Sequence, residues 1–281
     1  LGLDATENGI ILKEFKIKNR FKSFLEALMN EPLNFNIYYL PASRSGLYQG
    51  SNSLGEIFAE LSQKRSFISK KISIPSYSEP VSDYLLTLFS IERTDINRDF
   101  AEYINEIEQE ILQGIVEFNP ETKKIYFTPN NTTLRLDVAL STSSMVAEIA
   151  PIVAYLKHVL SITCVKDNKQ TVLFIEEPEA HLHPETQVKL MRVFARLVKD
   201  NKIKLVMTSH SNYIFNAASN LVMDNKIDSS KFEAVLFEMK EEGSVARPMA
   251  TDEYGIDDDN FIDVAESLYE EKIELINKLN G

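Results

Sequence analysis

The sequence predicts an α/β fold: a doubly wound, mostly parallel sheet with a helical insertion and a small antiparallel strand meander. Three observations carry this expectation. In the carboxy-terminal half, short apolar runs such as Val172–Ile175 and Leu205–Met207 alternate with segments of helical spacing, as buried parallel strands and their crossover helices require. Residues 52–114 place apolar side chains three and four apart in successive stretches, the mark of amphipathic helices. Between 115 and 140, three short strand-like runs are separated by turn residues.

Taken in order, Ile10 to Ile17 alternates loosely like a strand, and Arg20 to Met29 has the pattern of a short helix. Ile37-Tyr38-Tyr39-Leu40, stopped by Pro41, reads as a buried strand, followed by the polar turn PASRSGLYQG. SLGEIFAELSQKR, PVSDYLLTLFSIER and RDFAEYINEIEQEILQG form the helical subdomain at 52–114, the last helix capped by Gly114. GIVEF, KKIYFTP and TLRLDVAL make the meander, with turns at Asn119–Thr122 and Pro129–Asn131. STSSMVAEIAPIVAYLKHVL is a helix with serines at its start. TVLFIEEPEAHLHP is a strand running into a loop, and PETQVKLMRVFARLVKD a helix with Pro184 at its first position, where the missing N–H costs least. KIKLVMTSH is a strand, SNYIFNAAS opens a helix, EAVLFEM is a last strand, and FIDVAESLYEEKIELINKL is a long amphipathic helix.

Composition narrows the function classes. With 281 residues and an apolar share of 44%, the chain suits one large domain or two small ones with a real core. No run of about 18 apolar residues exists, so no membrane span is expected. No signal peptide is expected, and Cys164 alone cannot form an internal disulfide, which fits a reducing cytoplasm. Asn130 and Asn131 each open an N-x-Thr pattern and read as turn residues. The formal net charge of -12 disfavours sequence-blind grip on DNA or anionic lipid, while leaving room for a local basic groove or a DNA-binding partner.

The chemistry concentrates at Thr171 to Pro184. The apolar strand Val172–Ile175 ends in two carboxylates, Glu176 and Glu177, at the strand end where open α/β sheets bind ligands. Adjacent acids repel, and burying either unpaired is costly. Mg²⁺ and a water would offset that cost, the first acid holding the hydrated metal and the second polarising the attacking water. The plain alternative is a solvated acidic loop. About thirty residues on, a second strand ends at His210. A right-handed crossover through the intervening helix would set the strands parallel and bring His210 beside the acids, where it can meet a γ-phosphate or orient the water. Its alternative role is capping the helix that follows. Ser141–Ser144 precede a helix, whose free N–H groups and dipole favour anions. Ordinary N-capping is the alternative there.

LFIEEPEAHLHP followed by VMTSHS resembles the Walker B, D-loop and switch-histidine series of ABC-type, SMC-like ATPases. PASRSG and DEYGIDDDNFIDVAESLYEE add to a likeness with the branch that includes overcoming-lysogenisation-defect nucleases and Septu- and Gabija-type defence ATPases. The likeness spans about residues 38–270 and is most specific at 172–184 and 205–213. It implies that Glu176 holds the metal, Glu177 is the catalytic base, Ala180 to His183 form the D-loop facing a partner subunit, and His210 is the switch histidine. It places Ser143 and Ser144 at the signature, with Ser144 where glycine is usual. Arg44 falls near the loop leading into the helical subdomain and receives no role.

No G-x-x-x-x-G-K-[ST] occurs; Gly50 to Gly55 has the glycine spacing, but Glu56 stands where lysine must meet phosphate. The expectation is that the phosphate loop lies upstream of Leu1, since the chain opens Leu-Gly-Leu-Asp without methionine, or that nucleotide binding has been lost. The resemblance implies a single ABC-type domain over 1–281 lacking that part. It also implies ATP and Mg²⁺ as cofactors, a homodimer sandwiching nucleotide, and an effector such as a nuclease. Two rivals are a nucleotide-inactive partner-binding module and a metal-dependent hydrolase using Glu177, Glu179, His181 and His183.

Overall fold

The computed structural model describes residues 4–6, 9–11, 35–50, 77–92, 98–161, 170–241, 243–257 and 261–280. The chain divides into two compact units, one comprising Phe35–Leu221 and the other Leu1–Asn34 with Val222–Gly281.

The larger unit is built on a parallel sheet of three strands, β1 (Phe35–Leu40), β5 (Gln170–Glu176) and β6 (Lys204–Thr208), in the order β1-β5-β6. β5 is central: Leu40 pairs with Ile175 on one side and Glu176 with Thr208 on the other, so all three carboxyl ends share one edge. Val172, Leu173 and Ile175 are buried, which explains an apolar run without alternation. β1 is less buried than its apolar composition suggests; Ile37 is exposed and only Leu40 is fully covered, because β1 pairs with one strand among the described residues.

Helix α1 (44–50) follows β1 immediately, so the polar turn is shorter than the sequence pattern implies. α2 (Glu79–Phe89) and α3 (Arg98–Glu106) are described parts of the expected helical insertion; residues 51–76, with their expected helix and Glu56, lie outside the described residues, as do 12–34. α3 widens into a π-helical turn over Ile107–Leu112. Its cap is Gln113 in the left-handed region, φ 53°, and not Gly114. Gly114 instead opens β2, and a Cβ there would stand 2.4 Å from the Phe127 ring, so glycine is required by packing.

β2 (Gly114–Asn119), β3 (Lys124–Pro129) and β4 (Leu136–Asp137) form the antiparallel meander in sequence order. Asn119 makes the first turn, its Oδ1 accepting from the N–H groups of Glu121 and Thr122. α4 (Ser144–Tyr155), also widened into a π turn at Leu156–Leu160, is buried along almost its whole length. α5 (Pro184–Lys199) crosses from β5 to β6, burying Leu190, Val193, Phe194 and Leu197 at helical spacing, with Arg196 and Lys199 in its last turn complementing the dipole. The unit ends within α6 (Asn212–Met223), at Leu221. Tyr84 of α2 stacks on Tyr155 at 5.8 Å, and Tyr48 Oη accepts from Ile125 N–H at 2.6 Å, joining insertion and meander to the core.

In the second unit the run expected as a last sheet strand becomes β7 (Ala234–Lys240), paired antiparallel with β8 (Gly243–Met249) in a two-stranded ribbon. The short strands Asp4–Thr6 and Gly9–Ile11 pair likewise. The tail is a single helix, α7 (Phe261–Asn280). No helix among the described residues is long and apolar enough to cross a membrane.

Candidate functional site at the carboxyl edge of the parallel sheet

Glu176 is the last residue of β5, and Glu177 extends the pairing by one hydrogen bond, its N–H donating to Thr208 O at 3.0 Å. Glu177 then turns left-handed, φ 41°. For a residue with a side chain that conformation costs on the order of 1–3 kcal/mol and persists only where the surroundings impose it. The turn throws the Glu177 carboxylate towards β6, where His210 Nε2 lies 3.7 Å from Glu177 Oε1. His210 is 87% exposed and Glu177 43% exposed, so both groups are open to a ligand.

Glu176 is oriented differently. Its Oε2 accepts from Ala42 N–H at 3.3 Å, across from the end of β1. The Tyr39 phenol is pushed up to about 12, first by burial and then by its hydrogen bond and proximity to the Glu176 carboxylate. The two acids therefore divide between the two sides of β5, Glu176 towards β1 and Glu177 towards β6.

The loop between the acids and α5 is locked to the histidine strand. Glu179 Oε1 accepts from both Ser209 Oγ and His210 N–H, each at 2.7 Å. Gln187 on α5 donates to Leu182 O at 2.9 Å and accepts from Ser211 Oγ at 2.5 Å. His183 caps α5, its Nδ1 accepting from Glu185 N–H at 3.4 Å. His181 is exposed, φ 60°. Glu179 and His183 thus have separate duties, and no group of three or more His, Cys, Asp or Glu among the described residues could hold a metal ion, so the loop does not assemble the ligand cluster of the hydrolase alternative.

Ser143 is the N-cap of α4, its Oγ accepting from Val146 N–H at 3.4 Å, and Ser144 opens the helix; both are exposed. Among the described residues no hydrogen bond joins either serine to the acids or to His210. The link between α4 and the acids runs through Arg44, fully buried, which meets Glu148 Oε2 at 3.4 Å and donates to Glu176 O at 2.7 Å. Sequence reasoning gave neither Arg44 nor Glu148 a role. The available signal was Glu148 itself, a lone acid within the apolar run Met145–Tyr155 of α4, which burial obliges to find a partner.

Paired acids and an imidazole thus share one carboxyl edge of a parallel α/β sheet, the edge at which such sheets bind ligands, and comparison with known families gives the class of the chain. Residues 51–215 match the AAA ATPase domain, and the chain belongs to that family. No curated protein sequence matches it. Solved structures similar to it include one from work on ATP-driven dimerization and DNA-stimulated activation of SMC ATPases (10% identity, 70% of this chain and 96% of that one, TM-score 0.38). Others are the SMC head domain from Thermotoga maritima (13%, 60% and 52%, 0.36) and the Pyrococcus furiosus Smc head with an extended coiled coil bound to the C-terminal domain of ScpA (14%, 92% and 56%, 0.35). The chain thus spans nearly all of the first and about half of the other two.

Proposed function

We propose that this chain carries the hydrolytic part of an ABC-type, SMC-like ATPase site acting on ATP with Mg²⁺. The observation that carries the reading is the 3.7 Å approach of His210 Nε2 to Glu177 Oε1 at the mouths of adjacent parallel strands. The donor set fits the ligand: Glu176 offers a carboxylate already oriented by Ala42 N–H, and hard oxygen donors suit Mg²⁺. When bound, the nucleotide and metal would supply the electrophilic phosphorus and the neutralisation of its charge. Glu176 would hold the hydrated metal. Glu177, half exposed and turned towards β6, accepts a proton from the attacking water at its carboxylate. His210, exposed and with Nε2 3.7 Å from Glu177 Oε1, would donate from Nε2 to the terminal phosphate or orient that water. Ser143 and Ser144, exposed at the start of α4, and His183 at the start of α5 would face a second copy and the nucleotide it holds. The working unit is then a cytoplasmic dimer whose closing and opening drives an effector, of which a nuclease is the type suggested by the defence-ATPase likeness.

The test is Glu177→Gln in the full-length protein. It should retain ATP binding and slow turnover by roughly 10²–10⁴-fold. Turnover unchanged from the parent would refute the assignment.

A further inference from the structure

The donors of Arg44 converge on the turn that carries the proposed base. Its side chain is fully buried. Nη1 donates to Pro41 O at 2.9 Å and Glu176 O at 2.7 Å, Nη2 to Glu177 O at 3.2 Å, and Nε to Glu148 O at 3.4 Å. Nη2 also lies 3.4 Å from Glu148 Oε2, while Glu148 Oε1 accepts from Ser45 Oγ. Burial alone pulls the guanidinium below its ordinary value, and Glu148 is the principal opposing influence. A cation in such a place persists only when carbonyls and a counter-charge meet its donors, as they do here.

The two carbonyls of Glu176 and Glu177 belong to the peptide planes on either side of the Glu177 Cα. Holding both oxygens with one planar guanidinium fixes the φ and ψ between them, and so the direction of the Glu177 side chain. Glu177 is the residue in the left-handed conformation, which needs outside support. The same guanidinium reaches Glu148, about one helical turn after Ser143 and Ser144 on α4.

We infer that Arg44 is a positioning residue, which sets the aim of the Glu177 carboxylate by clamping the two carbonyls around it and ties that aim to α4 through Glu148. Fully enclosed, Arg44 cannot touch a nucleotide; it acts only through Glu177. The inference rests on the reading of Glu177 as the base. Lysine at this position keeps the charge but, as a point donor, cannot bridge two carbonyls in a fixed plane.

The experiment is a double-mutant cycle on the full-length protein, measuring ATP turnover, ATP affinity and thermal stability for Arg44→Lys, Glu177→Gln and the double variant. Arg44→Lys should slow turnover roughly 10–100-fold with ATP affinity held within about threefold, the scale expected of a misplaced catalytic group. In the Glu177→Gln background the same change should cost less than about twofold, because no base is left to misaim. Turnover of Arg44→Lys close to the parent overturns the inference. So does an equal loss in both backgrounds, which marks a merely structural arginine. Glu148→Gln, carried through the same cycle, gives the same discrimination if Arg44→Lys does not fold. Full turnover in Glu177→Gln alone would sink the reading of the site itself, and that single variant shows it without reference to Arg44.

Discussion

His210 Nε2 stands 3.7 Å from Glu177 Oε1 although the two residues belong to different strands and their backbones are fixed by different anchors. The Glu177 backbone is held by Arg44 and by Thr208 O, the His210 backbone by Glu179 Oε1. An imidazole that is 87% exposed contributes nothing to the core. His210→Ala should therefore leave the unfolding free energy within about 0.5 kcal/mol of the parent. ATP turnover in the full-length protein should fall by on the order of 10². Paired denaturation and steady-state measurements check this, and a variant that loses stability in proportion to activity would show His210 to be a structural cap instead.

A second expectation concerns the polar centre of the core. β2 is an edge strand of the meander, and the outward N–H and C=O of Val116 need partners once covered. Glu108 Oε1 accepts from Val116 N–H and Lys157 Nζ donates to Val116 O, each at 2.6 Å, while Lys157 Nζ meets Glu108 Oε1 at 2.5 Å. Both ions are buried, and each sits in one of the two π-helical turns. Removing one partner strands the other charge, so Lys157→Met should cost about 3–5 kcal/mol. Adding Glu108→Gln removes that orphaned charge and keeps an acceptor for Val116 N–H, so the double variant should be more stable than Lys157→Met alone. Urea unfolding of the three proteins decides it; a double variant no better than the single would mean that the pair's charge is not what the core requires.

The parallel sheet and its acid pair were legible because their signals are local: an apolar run ending in two acids, and a second apolar run ending in histidine one crossover later. The meander was legible from its turn residues. What escaped the sequence depends on long-range closure. Arg44 reads as one more residue of a polar turn, with no role, and its burial depends on carbonyls more than a hundred residues away that converge on it. Gly114 reads as a helix cap by residue type, but Gln113 takes the left-handed cap while the Phe127 ring claims the space where a Cβ at 114 would lie. The π turns have no periodicity distinct from an α-helix over so few residues. EAVLFEM reads as one more sheet strand, since a single strand's pattern does not name its partner; Gly243–Met249, with Pro248 inside it, is that partner.

His158 supplies the last expectation, a pH dependence. It follows Lys157 in the second π turn, is 7% exposed, and faces the Phe118 ring at 6.2 Å with no hydrogen-bond partner for Nδ1. Burial, and next the adjacent Lys157 ammonium, lower its pKa from 6.5 to about 4. Between those values the unfolded chain binds the proton and the folded chain does not, so stability falls as pH drops from about 6.5 towards 4. The full shift corresponds to about 3 kcal/mol, reached only below the folded-state value. His158→Leu removes this proton uptake. Whatever its stability at neutral pH, the variant should gain on the parent progressively as pH falls through that window, by up to about 3 kcal/mol. Chemical denaturation of both proteins at pH steps across the window measures the gap. A gap that stays constant with pH would show that the imidazole is protonated alike in the folded and unfolded chains.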